Sequence, residues 1–197
     1  MSVIYPWPFG DQIDTFEMRI ANNVESFTSP YSKDTQVVDL LGEKWQIRVD
    51  LPARIEEAQG AMREAFFDRL NGPVNLISLW HLKRQIPRGT FRGATVNGPC
   101  AQLANLCILN VATGTTLKAG DHISLNGQLV RAMADTVSVG GLMTVEFLPR
   151  TRTIIPNGAT VGWNKPTANF MLITNGVPTT WRQAIFDGTG IDLIEVP

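Results

Sequence analysis

The sequence predicts an α+β chain that is mainly β: a β-sandwich with one flanking helix, plus a small β-barrel-like second domain. Three observations carry this. Trp45, Ile47, Val49 and Leu51 alternate with polar Gln46, Arg48 and Asp50, the period of two that marks a half-buried strand. After Pro52, the residues Ile55, Ala58, Met62, Ala65, Phe66 and Leu70 recur at helical spacing, the one convincing helical pattern in the chain. From Ala101 onward, short apolar runs are punctuated by Gly, Asn and Pro turns, as in a small barrel or sandwich.

The elements follow in order. Residues 4–10, "IYPWPFG", contain two prolines, which oppose a regular strand or helix and predict an extended arm. Tyr5, Trp7 and Phe9 on that arm would be costly in water, so the arm packs on its own domain or on a neighbouring subunit. The sharper expectation makes these three a subunit interface. Phe16, Met18 and Ile20 alternate and, with Val24, Ser26 and Thr28, read as a first strand. After the polar turn from Ser29 to Asp34, Thr35 to Leu41 is β-like, and Gly42-Glu43-Lys44 turns it into the Trp45 strand. A hairpin-like pair thus precedes the helix.

The helix is expected over 53–71. Glu56 and Glu57 favour its positive N-terminal end, and Asn71-Gly72-Pro73 stops it. Ile55, Met62, Phe66 and Leu70 are expected to face the sheet containing Trp45 and Val74, so Met62→Asp would bury an unpaired charge and unfold the domain. Val74 to Leu82 is apolar on both parities, which predicts a strand covered on both faces. Lys83 to Pro99, rich in Gly and Pro, reads as a long loop.

In the second half, Ala101 to Val111 is a strand candidate, and Asn126-Gly127 marks a tight hairpin. Met143, Val145 and Phe147 alternate, Val161 and Trp163 follow the turn at Pro156-Asn157-Gly158, and Asn169 to Thr174 and Ile191 to Val196 complete the strands. The expected organisation is a sandwich over 1–95 and a barrel over 100–175. The segment 176–197 is expected as a separate C-terminal piece whose strand Ile191 to Val196 can return to the first domain.

Composition narrows the function. Hydrophobic residues make up 44% of the chain and charged residues 18%, a balance suited to surface destined for partners. A net charge of -1 and a pI near 6.1 offer no overall basic excess to hold a polyanion. Cys100 and Cys107 are the only cysteines and read as two idle or buried thiols. The N-terminal residues lack a signal-peptide pattern, and no apolar run approaches the ~18 residues of a membrane span.

Chemical constellations are sparse. His81 and His122 are the only histidines and sit in apolar or hairpin strands, without the nucleophile turn of a hydrolytic triad or the spacing of metal ligands. Asp121, after Ala119-Gly120, is explained by turn chemistry. No phosphate-binding glycine loop is present. Arg54, Arg63 and Arg69 with Glu56, Glu57 and Glu64 predict a salt-bridge-laced helix face or a pairing surface. These readings name no catalytic residue, cofactor or metal, and point to a non-enzymatic structural or binding protein.

The segments "SPYSKDTQVVDLLGEKWQIRVDLP", "FFDRLNGP" and "NLISLW" leading to "IPRG", with "LKAGDHISLNGQLVRAM", "VEFLPRTR" and "NFMLI" after them, occur in an order that resembles the distal or minor tail proteins of long-tailed bacteriophages. The resemblance spans roughly residues 16–173. It implies a tail-tube-like fold and a structural virion protein at the tail tip, made in the host cytoplasm, in which copies form a ring, sixfold by analogy. The implied partners are other copies, the tail tube, the tape-measure and hub proteins, and DNA in passage through the lumen. Sheet edges in the hairpin pair and in the strand after the helix would join the copies. Two alternatives are a carbohydrate-binding β-sandwich module, for which five Trp are a resource, and another tail-completion or head–tail joining protein. A small hydrolase with a site not evident from motifs is a third.

Overall fold

The computed structural model describes residues 2–10, 12–183 and 185–196. The chain opens with β1 (Ile4–Pro6), β2 (Thr15–Ala21), β3 (Val24–Thr28), β4 (Thr35–Asp39) and β5 (Lys44–Leu51), then α1 (Glu57–Leu70) and β6 (Leu76–Trp80). Next come β7 (Ala94–Val96), β8 (Leu106–Asn110), β9 (Thr116–Leu117), β10 (His122–Leu125), β11 (Gln128–Ala132), β12 (Thr136–Val137), β13 (Leu142–Leu148) and β14 (Thr160–Gly162). It closes with β15 (Thr167–Leu172), β16 (Trp181–Arg182), β17 (Ile185–Phe186) and β18 (Thr189–Val196). The fold is mainly β with one helix.

Six of these strands make one sheet in the order β1-β6-β15-β18-β5-β2. Only β1 runs parallel to its neighbour β6. The alternation read from β5 holds: Trp45, Ile47, Val49 and Leu51 are buried and the residues between them are not. β18 repeats it with Ile191 and Leu193. Their inward face is covered by Phe66, Phe67 and Leu70 of α1, by Trp7 and Phe9, and by Leu129 from the barrel. Each such side chain contributes about 1.5–3 kcal/mol by leaving water.

The helix is shorter than expected, and it presents a different face. Asn71 adopts the left-handed conformation (φ 51°) and its N–H donates to Asp68 O, which ends the helix where the Asn-Gly-Pro signal placed the stop. Its buried residues are Gly60, Arg63, Phe66, Phe67 and Leu70. Ile55 and Met62 are 77% and 55% exposed, so the expected contact face and the unfolding by Met62→Asp are both corrected. The aromatic pair decides the rotation: turning Phe67 inward beside Phe66 buries more area than Met62 could. Gly60 lies inward because Trp181 rests on it; a Cβ there would stand 2.6 Å from Trp181 Cη2.

Arg63 is buried rather than solvated. Its Nη1 donates to Pro52 O at 2.5 Å and its guanidinium lies 5.8 Å from the Phe9 ring centroid. Burial, and then the charge of Arg54, hold its pKa below the ordinary arginine value. The expected lacing of α1 by ion pairs does not form among the described residues. Glu64 accepts from Thr179 Oγ1 at 3.0 Å, and Arg69 sits over Tyr5.

The second unit is a closed barrel, β10-β11-β13-β8-β7-β14. β10 and β14 close it through Ser124↔Gly162 and Leu125↔Val161. Asn126 and Gly127 both take positive φ (48° and 87°), as the tight turn between β10 and β11 requires. Phe91, Leu109, Ile123, Val145, Phe147 and Val161 fill the interior. The barrel strands span 94–162 rather than 100–175: Ala94–Val96 inside the expected loop is a barrel strand, and Thr167–Leu172 joins the sheet between β6 and β18. A three-residue strand between Gly93 and Gly98 is too short to display a period of two.

The two units share a dense joint. Trp45 Nε1 donates to Leu129 O at 2.9 Å. Arg150 bridges Asp39 at 2.9 Å and Glu43 at 2.8 Å, and Arg152 pairs with Glu195, which also accepts the Trp45 N–H at 3.0 Å. Among the described residues, no helix is long and apolar enough to cross a membrane.

Candidate functional site

The feature that stands apart from this frame is the ribbon β3–β4. Its strands pair antiparallel from Val24↔Asp39 to Thr28↔Thr35, with every one of the ten residues exposed. The six-residue turn from Ser29 to Asp34 is closed by Ser29 N–H to Asp34 O at 2.9 Å, with Lys33 at φ 63°. Thr28 and Thr35 share a hydroxyl hydrogen bond of 3.0 Å across the strand ends. The base is pinned by Leu40 N–H to Asn23 O, Asn23 Nδ2 to Leu41 O, and the Arg150–Asp39 pair. Among the described residues, none buries either face beyond that base.

The ribbon is also apolar. Phe27 is 66% exposed, Tyr31 96% and Val37 65%, with Val24, Val38 and Leu40 near half. Phe27 and Val38 lie on one face and Val24 and Val37 on the other, so neither side is a purely solvated one. A two-stranded ribbon is marginal in water by itself. This ribbon corrects the expected pairing of Thr35–Leu41 with the Trp45 strand, since β5 pairs instead with β2 and β18. Apolar residues on both parities, around a six-residue polar turn flanked by two threonines, were the sequence signal for a free-standing hairpin.

The sheet supplies two further open borders. β2 pairs only with β5 and β1 only with β6, so their outer backbones are unpaired in the sheet. Pro6 lies within β1, where edge positions tolerate its missing N–H. The strand after the helix, β6, lies between β1 and β15 and offers no edge, contrary to expectation.

The aromatic segment belongs to the protein's own core. Trp7 and Phe9 are 4% and 5% exposed, with rings 5.0 Å apart and each edge-on to Phe66. Residues 4–6 form strand β1 rather than a free arm. Trp7 and Phe9 therefore have no surface to give a partner, and only Tyr5 of the three, half-buried beneath Arg69, reaches the exterior.

The chemistry-bearing side chains serve the joint and the barrel. His81 and His122 have ring centroids 4.7 Å apart, flanked by Phe16 at 4.9 Å and Trp45 at 5.7 Å. Burial first, then neighbouring charge, pushes His81 down to about 4 and His122 down to about 3, so both rings are neutral at pH 7. His81 Nδ1 accepts the Arg84 N–H at 3.0 Å, while neither ring nitrogen of buried His122 has a hydrogen-bond partner. Among the described residues, no carboxylate hydrogen-bonds to either ring in the way a catalytic base is oriented.

Asp121 is buried and accepts from the Arg88 and Lys118 N–H groups and from Arg88 Nε, holding one loop on another. Cys100 and Cys107 are both free and buried; burial raises both thiols, Cys107 to about 12, far from a reactive thiolate. Among the described residues, no group of three or more His, Cys, Asp or Glu could hold a metal. Of the five Trp, Trp7 and Trp45 are core, Trp80 and Trp163 are half-buried beneath Lys165 and Arg92, and Trp181 is 39% exposed. They do not present an exposed aromatic set.

No protein-family model matches this chain, and no curated protein matches its sequence.

Proposed function

We propose that this chain is a structural subunit that assembles with copies of itself into a ring, as a distal tail component of a long-tailed bacteriophage joining tail tube to tail tip. The observation that carries the assembly reading is the β3–β4 ribbon, exposed at all ten strand residues with apolar side chains on both faces. Such a ribbon gains most by lying on a neighbouring copy, where its side chains leave water and the unpaired borders of β1 and β2 can extend a sheet across the boundary. The tail assignment rests on the order of elements along the chain, and sixfold symmetry follows by analogy. The finer reading of the first unit as a tail-tube-like sandwich belongs with it, supported by the barrel wall that presents Leu129 to the sheet core. In this reading the protein acts as scaffold, with tube, tape-measure and hub proteins as neighbours.

The test is the mass of the purified chain by native mass spectrometry and sedimentation, with and without Phe27→Ser and Val37→Ser. A closed oligomer that falls to monomers in the double variant, with unchanged circular dichroism, is the expected outcome. A wild-type chain that stays monomeric at high micromolar concentration and as tail particles assemble would overturn it.

A further inference from the structure

The near-neutral net charge conceals a strong local imbalance. Between Arg69 and Asp135 the chain carries Lys83, Arg84, Arg88, Arg92, Lys118 and Arg131 against a single acid, Asp121. The fold gathers part of this set on one surface. The loop after β6 carries Lys83, Arg84 and Arg88, all exposed, around a groove of about 450 Å³ lined by residues 82–86 and Arg88. The turn after β14 joins it through Lys165 N–H to Gln85 O at 2.7 Å. Arg92 completes the set by lying over Trp163 in that same turn, 5.2 Å from the ring centroid.

Apart from Arg88, the charges on this surface are not neutralised by the protein. Arg88 is matched by Asp121. Lys83, Arg84, Arg92 and Lys165 form no ion pair among the described residues. Arg84 and Arg92 instead donate to backbone carbonyls of Gly120 and Gly89, at 3.1 and 2.9 Å, which fixes the guanidinium groups without removing their charge. Two Trp faces alternate with the cations: Lys165 Nζ lies 4.9 Å from the Trp80 ring centroid, as Arg92 lies over Trp163.

We propose that this surface binds the phosphodiester backbone of nucleic acid. Four uncompensated cations, two of them fixed by hydrogen bonds to backbone carbonyls and two seated on indole rings, suit a polymer of regularly spaced phosphates. A protein partner is disfavoured because interface centres are depleted of Lys and built around exposed apolar groups, which are scarce in this patch. The only large apolar side chain exposed in this loop is Ile86, at 50%. The proposal is independent of the ring assembly and depends on different residues.

The test is fluorescence anisotropy of the full chain with a labelled 20-base-pair duplex between about 50 and 200 mM salt. Four phosphate contacts predict a log–log salt slope between about -3 and -4. Lys83→Gln with Lys165→Gln should flatten that slope by about 2 and weaken binding, while Lys44→Gln with Arg69→Gln, outside the patch, should leave both unchanged. Circular dichroism and thermal melting keep the variants comparable. No binding at the lowest salt, equal losses in both double variants, or equally tight binding of polyglutamate at matched charge would each overturn the proposal. The last result would mark the surface as one for acidic protein.

Discussion

At the scale of single residues, the inward face of α1 separates positions that look alike in sequence. Phe66 and Met62 both fit a helical stripe, yet one is buried and the other is mostly in water. Phe66→Ala should cost about 3–5 kcal/mol in urea unfolding, whereas Met62→Asp should change stability by about 0.5 kcal/mol or less. The histidine pair makes a second prediction. His122 titrates at about 3 in the fold and near 6.5 unfolded, so the unfolded chain binds more protons below pH 6.5. Its contribution is therefore complete above about pH 6.5 and is lost as pH falls toward 3. Between pH 7 and 4 His122 should lower the unfolding free energy by on the order of 3 kcal/mol and His81 by a comparable amount, so His122→Leu should reduce that dependence by about half. An unchanged slope in the variant would show that other groups carry it.

At the scale of elements, what could be read from the chain depended on whether one strand saw one environment. β5 alternates cleanly because one face meets the core and the other does not, and Asn71-Gly72 signals the stop of α1 through backbone conformations few other residues adopt. The β3–β4 ribbon carries apolar residues on both parities because neither face meets this molecule's core, so its pattern does not set it apart from its neighbours. Trp7 and Phe9 were legible as groups that must be covered, but not by what, since the cover lies some sixty residues on in α1. The joint yields its own prediction. Glu195 is 1% exposed and relies on Arg152 for its counter-charge, so Arg152→Ala should destabilise the chain by about 3 kcal/mol. Arg152→Met with Glu195→Gln should recover part of that loss, as read by denaturant midpoint.

At the scale of the whole molecule, one sheet with two open borders and one closed barrel divide the labour. Closure leaves the barrel no free edge, so the open strand borders are those of β1, β2, the ribbon and the two-residue pairs β9–β12 and β16–β17. Replacing residues 24–39 by a short Gly-Ser turn should leave the melting temperature of the monomer within a few degrees of wild type while abolishing concentration-dependent assembly, as read by sedimentation. Net charge averages out local structure in a comparable way. A value of -1 is a sum over a basic set around the loop after β6 and acidic residues elsewhere, and only the fold brings Lys165 and Arg92 beside the loop of Lys83 and Arg84.

The place of β18 has a consequence for synthesis. It lies between β15 and β5, so the sheet exists as two unconnected halves, β1-β6-β15 and β5-β2, until the last-made of its six strands emerges. The barrel, complete by Gly162, needs no later strand and can form while translation continues. A nascent chain halted before Thr189 should thus protect barrel amides from exchange while leaving those of β5 and β15 open. Translation order would make the barrel the first folded body, and the sheet a final stitch that draws both ends of the chain together.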